Sequence, residues 1–304
     1  MRTIYFLGDD SNRRFVPEGV LYFAMDQFRR GQLWENFRKV FIPLAGRTHH
    51  FTKEGGVEVW LKFVFERWFI IREFLHTQNI VSFWIFDSDT LIAADLAARE
   101  DRFSNFDTTE QCRGCCLNGW ISSRSIVDGY CEKMVELYKR PDYLAAHRVR
   151  LETQTGLAFN EMDAWQTYRE EAGVKTFAIG TPYQGEVFDD ALAFTAGWQV
   201  SATRPRRQTP VKRIVSDRRG GFFGFSENHA EPVRFVTLNL SWMPDYLFRR
   251  LARNCLPLAQ LAYDASQCSE VDFHEPGREK SLRGFSEKLW KVRQFVQRIC
   301  GQQA

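Results

Sequence analysis

Apolar residues recur along this chain in two rhythms, and the change from one to the other marks its elements. Over residues 57–78, Trp60, Phe63, Val64, Trp68, Ile71, Phe74 and Leu75 alternate with Glu58, Lys62, Glu66 and Glu73 at helical spacing. This period predicts an amphipathic helix. Directly after it, Val81-Ser82-Phe83-Trp84-Ile85-Phe86 is apolar almost throughout, which predicts a central strand covered on both faces. The strand runs into Asp87-Ser88-Asp89. Packing does not require two carboxylates there, whereas ligands of open α/β sheets bind beyond the carboxyl ends of strands. Hard divalent cations take such oxygens.

The remaining elements follow from the same patterns. Residues 3–7 read as a first strand, closed by the turn Gly8-Asp9-Asp10-Ser11-Asn12. The spacing of Val20, Phe23, Ala24, Gln27 and Phe28 predicts a helix over 16–31, and 40–44 reads as a short strand. Beyond the acidic pair come a short helix (93–100) and a polar loop or edge segment (102–110). A strand over 115–122, interrupted at Asn118-Gly119, precedes a helix over 125–138. Asn160 is placed to cap a helix whose first turn carries Glu161 and Asp163. Strands over 174–179 and 233–240 and helices over 244–254 and at the C-terminus complete the pattern.

Length and composition narrow the class. A chain of 304 residues with 44% hydrophobic and 26% charged residues has material for one large core. Its 27 Phe and 9 Trp thicken that core and leave rings for a stacking surface. A net charge of +3 and a pI near 8.4 fall short of the basic footprint of a nucleic-acid binder. No apolar run approaches the roughly 20 residues that span a bilayer, and the opening run is strand-like rather than a leader. A cytoplasmic protein is expected, with peripheral membrane association as the variant. The 7 cysteines are irregularly spaced; Cys112, Cys115, Cys116 and Cys131 lack the second paired knuckle of a structural zinc site. Reduced thiols are expected.

An apolar strand ending in Asp-x-Asp resembles the signature of metal-dependent glycosyltransferases of the GT-A fold. The resemblance implies a single Rossmann-like α/β domain over 1–304, with a mixed central sheet and C-terminal helical additions. Residues 1–92 would be its nucleotide-binding half, 93–200 its donor-sugar and acceptor half, and 222–304 a C-terminal hairpin and helices. It implies transfer of a sugar from a nucleoside-diphosphate sugar, UDP-linked by expectation. The acceptor would be a glycan, a lipid-linked group, a small molecule or a nucleic acid. Asp87 and Asp89 would hold Mn²⁺ or Mg²⁺.

The same resemblance assigns further residues. Gly8, Asp9, Asp10 and Asn12 would cradle the nucleotide, although an ordinary turn uses the same residues. Asn118 and Gly119 would line the donor-sugar pocket, or form a simple bulge. Glu161 and Asp163 are similar to acceptor-side acids, one of which would act as base if transfer inverts; helix capping accounts for them equally. His274, Gly277 and Lys280 match the H-x-x-G-x-x-K spacing of retaining sugar-nucleotide transferases, in which the His completes the metal shell and the Lys contacts the diphosphate. Retention is therefore the expected course, although Ser281-Leu282 stands where Pro-Trp follows in those enzymes. Asn239 is the rival third metal ligand.

Two other classes share some of these features. Nucleotidyl or phosphoryl transferases bind Mg²⁺ through paired acids, but the chain has no Gly-rich phosphate loop. The basic stretch 203–221, with Arg204, Arg206, Arg207, Lys212, Arg213, Arg218 and Arg219 broken by Pro205 and Pro210, suits either a loop that closes over a diphosphate or a nucleic-acid-binding module.

Overall fold

The computed structural model describes residues 3–49, 56–205, 209–253 and 263–274. They form a mixed α/β protein that gathers into two compact units. One takes the described residues of Met1–Val81 and Ser123–Gly173, the other those of Ser82–Ser122 and Val174–Glu279. The units do not follow the expected consecutive segments 1–92, 93–200 and 222–304.

In the first unit β1 (Ile4–Gly8) pairs in parallel with β2 (Val20–Ala24). The helix expected over 16–31 is thereby corrected. Val20-Leu21-Tyr22-Phe23 is a β-branched and aromatic run that suits a pleated surface, and only Met25–Phe28 winds, as a 3-10 turn. Phe23 and Phe28 set their rings against Phe74 at 5.3 and 5.4 Å, so tertiary packing rather than helical spacing fixes these positions. Five helices follow: α1 (Gln32–Val40), α2 (Val57–Thr77), α3 (Arg124–Tyr138), α4 (Pro141–Thr153) and α5 (Glu161–Ala172). The strand expected over 40–44 is instead the end of α1 and an irregular segment after it. Phe37, Phe65, Tyr130 and Trp165 are buried, and Phe37 lies 4.7 Å from Phe69 between ring centroids. Much of the aromatic share is therefore core.

The second unit holds two sheets. In the smaller, the order is β3 (Phe83–Ile85), β6 (Cys116–Ile121), β5 (Thr108–Gln111), β7 (Thr176–Ala178); β6 is antiparallel to both neighbours and β5 is parallel to β7. Two expectations are corrected here. β3 is a half-buried edge strand of three residues, not a central one. The segment expected to be a polar loop or edge segment contains β5, an inner strand whose four residues are all buried. Its threonines satisfy themselves within the sheet: Thr108 Oγ1 donates to the Trp120 carbonyl (2.9 Å) and Thr109 Oγ1 to that of Asn118 (2.7 Å). Polar side chains with partners at hand cost little to bury.

The larger sheet runs β12 (Cys268–Glu270), β9 (Ile214–Asp217), β10 (Phe222–Gly224), β11 (Val233–Asn239), β4 (Thr90–Ile92), with β8 (Glu186–Phe188) also paired to β11. Trp84, Phe103, Trp120, Phe188 and Val236 form one of the unit's cores, where Trp84 stacks on Phe188 at 5.4 Å. Helix α6 (Asp245–Arg253) buries Leu247 and Leu251 in another. The short helix expected over 93–100 is the 3-10 segment Ala97–Phe103. Among the described residues no helix is long and apolar enough to cross a membrane.

Candidate functional site

Strand β11 organises the site through two of its neighbours, β4 and β8. On one side Asn239 pairs with Thr90, the first residue of β4, in antiparallel register. On the other side Thr237 pairs with Phe188, the last residue of β8, in parallel register. Asp87 and Asp89 precede β4, and Asp189 and Asp190 follow β8. Two acidic pairs therefore flank the carboxyl end of one strand, with backbones about 10 Å apart at two strand spacings.

The first pair occupies a tight turn closed by the Thr90 N–H on the Asp87 carbonyl at 3.0 Å. This turn carries the chain out of the smaller sheet and into the larger. Asp87 is exposed and Asp89 half-buried. The end of β11 secures Asp89 twice: Leu240 N–H donates to its carbonyl at 2.9 Å and Ser241 Oγ to its Oδ2 at 2.7 Å.

The second pair has an inner and an outer member. Asp189 is fully buried, forms an ion pair with Lys212, and accepts from the Asn239 N–H at 3.1 Å. Asp190 is half-buried, and its Oδ2 accepts from the Arg113 N–H at 3.0 Å. Burial raises its carboxyl above the ordinary value, against the opposing pull of that N–H, of Lys212 and of the Cys112 N–H. Those amides come from the turn after β5, where Cys112 and Arg113 hold φ of 53° and 59°, a left-handed conformation costly for non-glycine residues. Gln111, at the end of β5, is 1% exposed and donates through Nε2 to the Asp189 carbonyl at 2.6 Å. Gln111 Oε1 and Asp190 Oδ1 are buried and have no hydrogen-bond partner among the described residues.

Burial, then Asp190, Asp87, Cys115 and Asp89 in that order, push the Cys112 thiol up to about 12. A thiol raised in this way stays protonated at neutral pH.

The residues singled out in the sequence fare unequally. Asn118 stands one step beyond the Ile85–Gly119 pair of β3 and β6, which sets it across from Phe86, next to Asp87. It is 5% exposed, and its Oδ1 also has no hydrogen-bond partner among the described residues. Gly119 has φ of 92° at a register shift opposite Thr109, so the bulge requires the glycine. Asn239 joins the site through its backbone N–H and through Oδ1, which accepts from Ser241 N–H at 2.9 Å. His274 is not brought to the acidic pair: its Nδ1 lies 3.0 Å from Asp272 Oδ1 and its side chain is 68% exposed. No group of three His, Cys, Asp or Glu able to hold a metal forms among the described residues. Gly277 and Lys280 lie outside the described residues.

The first unit holds the other expected residues. Asp9 Oδ1 accepts from Ser11 N–H at 2.8 Å and Asn12 N–H donates to the Asp9 carbonyl at 3.0 Å, a self-contained turn beside Gly8 and the exposed Asp10. Asn160 and Asp163 form a capping box on α5, with Asp163 also gripped by Arg150 at 2.8 Å. Glu161 is 6% exposed and accepts from Arg67 at 3.0 Å. Both acids thus hold structural bonds: Asp163 the cap that the sequence offers as the alternative reading together with a pair to Arg150, and Glu161 a pair to Arg67.

Asp190, Gln111, Ser241 and Trp242 join the site without a motif in the sequence that singles them out. The nearest to a signal is that of Asp190: Val187-Phe188-Asp189-Asp190 repeats, in shorter form, the apolar run into acids at 81–89. The basic stretch divides differently from expectation. Beyond Arg206 and Arg207, which lie outside the described residues, Lys212 pairs with Asp189, Arg213 with Glu270 and Arg219 with Asp217.

Two oxygen-bearing acids on one turn fit a cation that completes its shell with substrate phosphate oxygens and water; the described residues do not fit a closed protein cage. No family model, curated protein or solved structure matches the chain.

Proposed function

We propose that the protein transfers a sugar from a nucleoside-diphosphate sugar to an acceptor hydroxyl, at the carboxyl end of β11. The observation that carries this reading is the convergence of Asp87, Asp89 and Asp190 on that one strand end, with the buried Gln111 held beside them on the Asp189 carbonyl. Asp87 and Asp89 would hold a divalent cation, Mn²⁺ or Mg²⁺, which when bound offsets negative charge on a diphosphate. Ser241 orients Asp89 for that task. The bond between the anomeric carbon and the diphosphate oxygen breaks, and the acceptor oxygen forms the new one. The acceptor proton leaves to a nearby oxyanion, either the departing phosphate or Asp190.

The mixed smaller sheet, with one antiparallel strand among its neighbours, is compatible with the GT-A expectation at the level of α/β class. Lys212, Arg213 and Arg219 pair with carboxylates within the unit, which weighs against a nucleic-acid module built on those three. The test is hydrolysis or transfer from a panel of UDP, GDP, CDP and dTDP sugars with Mn²⁺. Turnover of one donor, abolished by chelator, is expected; indifference of every donor, or turnover untouched by chelator, contradicts the reading.

A further inference from the structure

The chain emerging from β11 passes through Ser241, which binds Asp89, and immediately presents Trp242 to solvent. The indole is 70% exposed, and its backbone is held at φ of 64°. An exposed tryptophan in a left-handed conformation is unfavourable twice over, in hydration and in backbone strain. Its ring is not isolated: the centroid lies 5.8 Å from that of Phe194, and the Arg113 guanidinium lies 5.0 Å from the Phe194 centroid. Arg113 is the residue whose backbone N–H holds Asp190. A continuous path thus runs from Asp89 through Ser241, Trp242, Phe194 and Arg113 to Asp190, with Gln111 anchored on the Asp189 carbonyl behind it.

This set has a definite chemical character. One wall is aromatic, and beside it Asp190 Oδ1 and Gln111 Oε1 are buried acceptors with no hydrogen-bond partner among the described residues. A ligand for it offers several hydroxyl donors on one side and an apolar C–H face on the other. A pyranose ring has that form, with axial hydrogens to lie on an indole and hydroxyls to meet carboxylate and amide oxygens.

We propose that Trp242, Asp190 and Gln111 form a pyranose-binding subsite and that the acceptor is therefore a carbohydrate. This deepens the transferase reading and rests on it for the word acceptor, but the sugar subsite is testable by itself.

The experiment is saturation-transfer NMR on the full chain with methyl β-glucopyranoside, methyl β-galactopyranoside, methyl α-mannopyranoside and N-acetylglucosamine. Each is measured alone and with UDP plus Mn²⁺. Transfer to the ring protons of at least one pyranoside is expected, lost in Trp242→Ala, partly kept in Trp242→Phe and reduced in Asp190→Asn. Thermal melts establish that each variant is folded. Absence of transfer to every pyranoside under both conditions, or equal transfer to wild type and Trp242→Ala, overturns the subsite. If UDP with Mn²⁺ fails to shift the melting temperature while a Trp242-dependent sugar signal persists, the subsite stands and the transferase reading falls. The converse pattern removes the subsite and leaves the transferase reading in place.

Discussion

Asp89 shows how a single carboxylate is placed for chemistry. One oxygen is taken by Ser241, which fixes the rotamer, and the backbone carbonyl is taken by Leu240, which fixes the turn. Removing the side chain deletes the hydrogen bond from Ser241, worth about 1 kcal/mol, and Asp89→Ala should remain folded in the absence of ligand. Its effect on cation-dependent nucleotide binding should be total. A melt that drops by many degrees without ligand would make Asp89 a structural residue. Glu186 is the opposite case. It stands among Arg99, Arg102 and Arg234; burial disfavours its charge, but Arg99 and then the other guanidinia prevail and hold its carboxyl below the ordinary range. Its contribution is therefore present above the unfolded carboxylate value of about 4.3 and is lost as pH falls through the lower folded value. Glu186→Gln leaves Arg99 and Arg234 buried without that counter-charge, at a cost of about 3–5 kcal/mol at neutral pH. Urea titrations of both proteins at neutral and acidic pH check this: the gap should narrow in acid, and a gap independent of pH would contradict it.

At the scale of elements, two local devices carry the geometry. The bulge in β6 lets Thr109 Oγ1 accept from Trp120 N–H at 2.8 Å while donating to Asn118, and a Cβ on Gly119 would collide with that oxygen and with Ile179 Cδ1. With the positive φ added, Gly119→Ala should cost about 1–3 kcal/mol and disturb Asn118. Near-wild-type stability in a denaturant titration would show that the bulge relaxes without harm. The second device is the α5 capping box. Asn160→Ala should cost about 1 kcal/mol, and Asp163→Ala should lower stability while leaving the pyranoside signal intact; loss of that signal in a folded Asp163→Ala protein would restore Asp163 to the site. Legibility follows the physics of these elements. Helix α2 and the cap of α5 were plain because long periodic segments and Asn-x-x-Asp caps are local. β2 was mistaken for a helix because its period was ambiguous and its pairing with β1 is not written locally. β5 was mistaken for loop because buried threonines look polar until their carbonyl partners are known.

At the scale of the molecule, the acidic pair was legible but its companions were not. Asp87 and Asp89 stand out because an apolar run precedes them. Asp190, Gln111 and Trp242 come from segments distant in sequence that meet only through the pairing of β11 with β4 and β8 and through the bond of Gln111 to the Asp189 carbonyl. His274 was preferred over Asn239 on ligand chemistry, yet strand register draws Asn239 toward Asp89 and leaves His274 with Asp272. The basic stretch reads as one functional loop, whereas from Ile214 onward it is the β9–β10 hairpin, in which Arg219 is paired with Asp217. Placement of a chemical group depends on which strands become neighbours, and charge or motif spacing alone does not encode that.

The most direct measurement is a thermal-shift comparison of wild type and Asp89→Ala with UDP, GDP, CDP and dTDP sugars, each with and without Mn²⁺. Ligand at a hundred times its dissociation constant stabilises the folded protein by about 2.7 kcal/mol, a shift of a few degrees for a chain of this size. One nucleotide sugar should raise the wild-type melting temperature by that amount only when Mn²⁺ is present, and should leave Asp89→Ala unmoved. A wild type indifferent to every nucleotide sugar with Mn²⁺, or an equal shift in the Asp89→Ala protein, would contradict a cation-assisted transferase site at the end of β11.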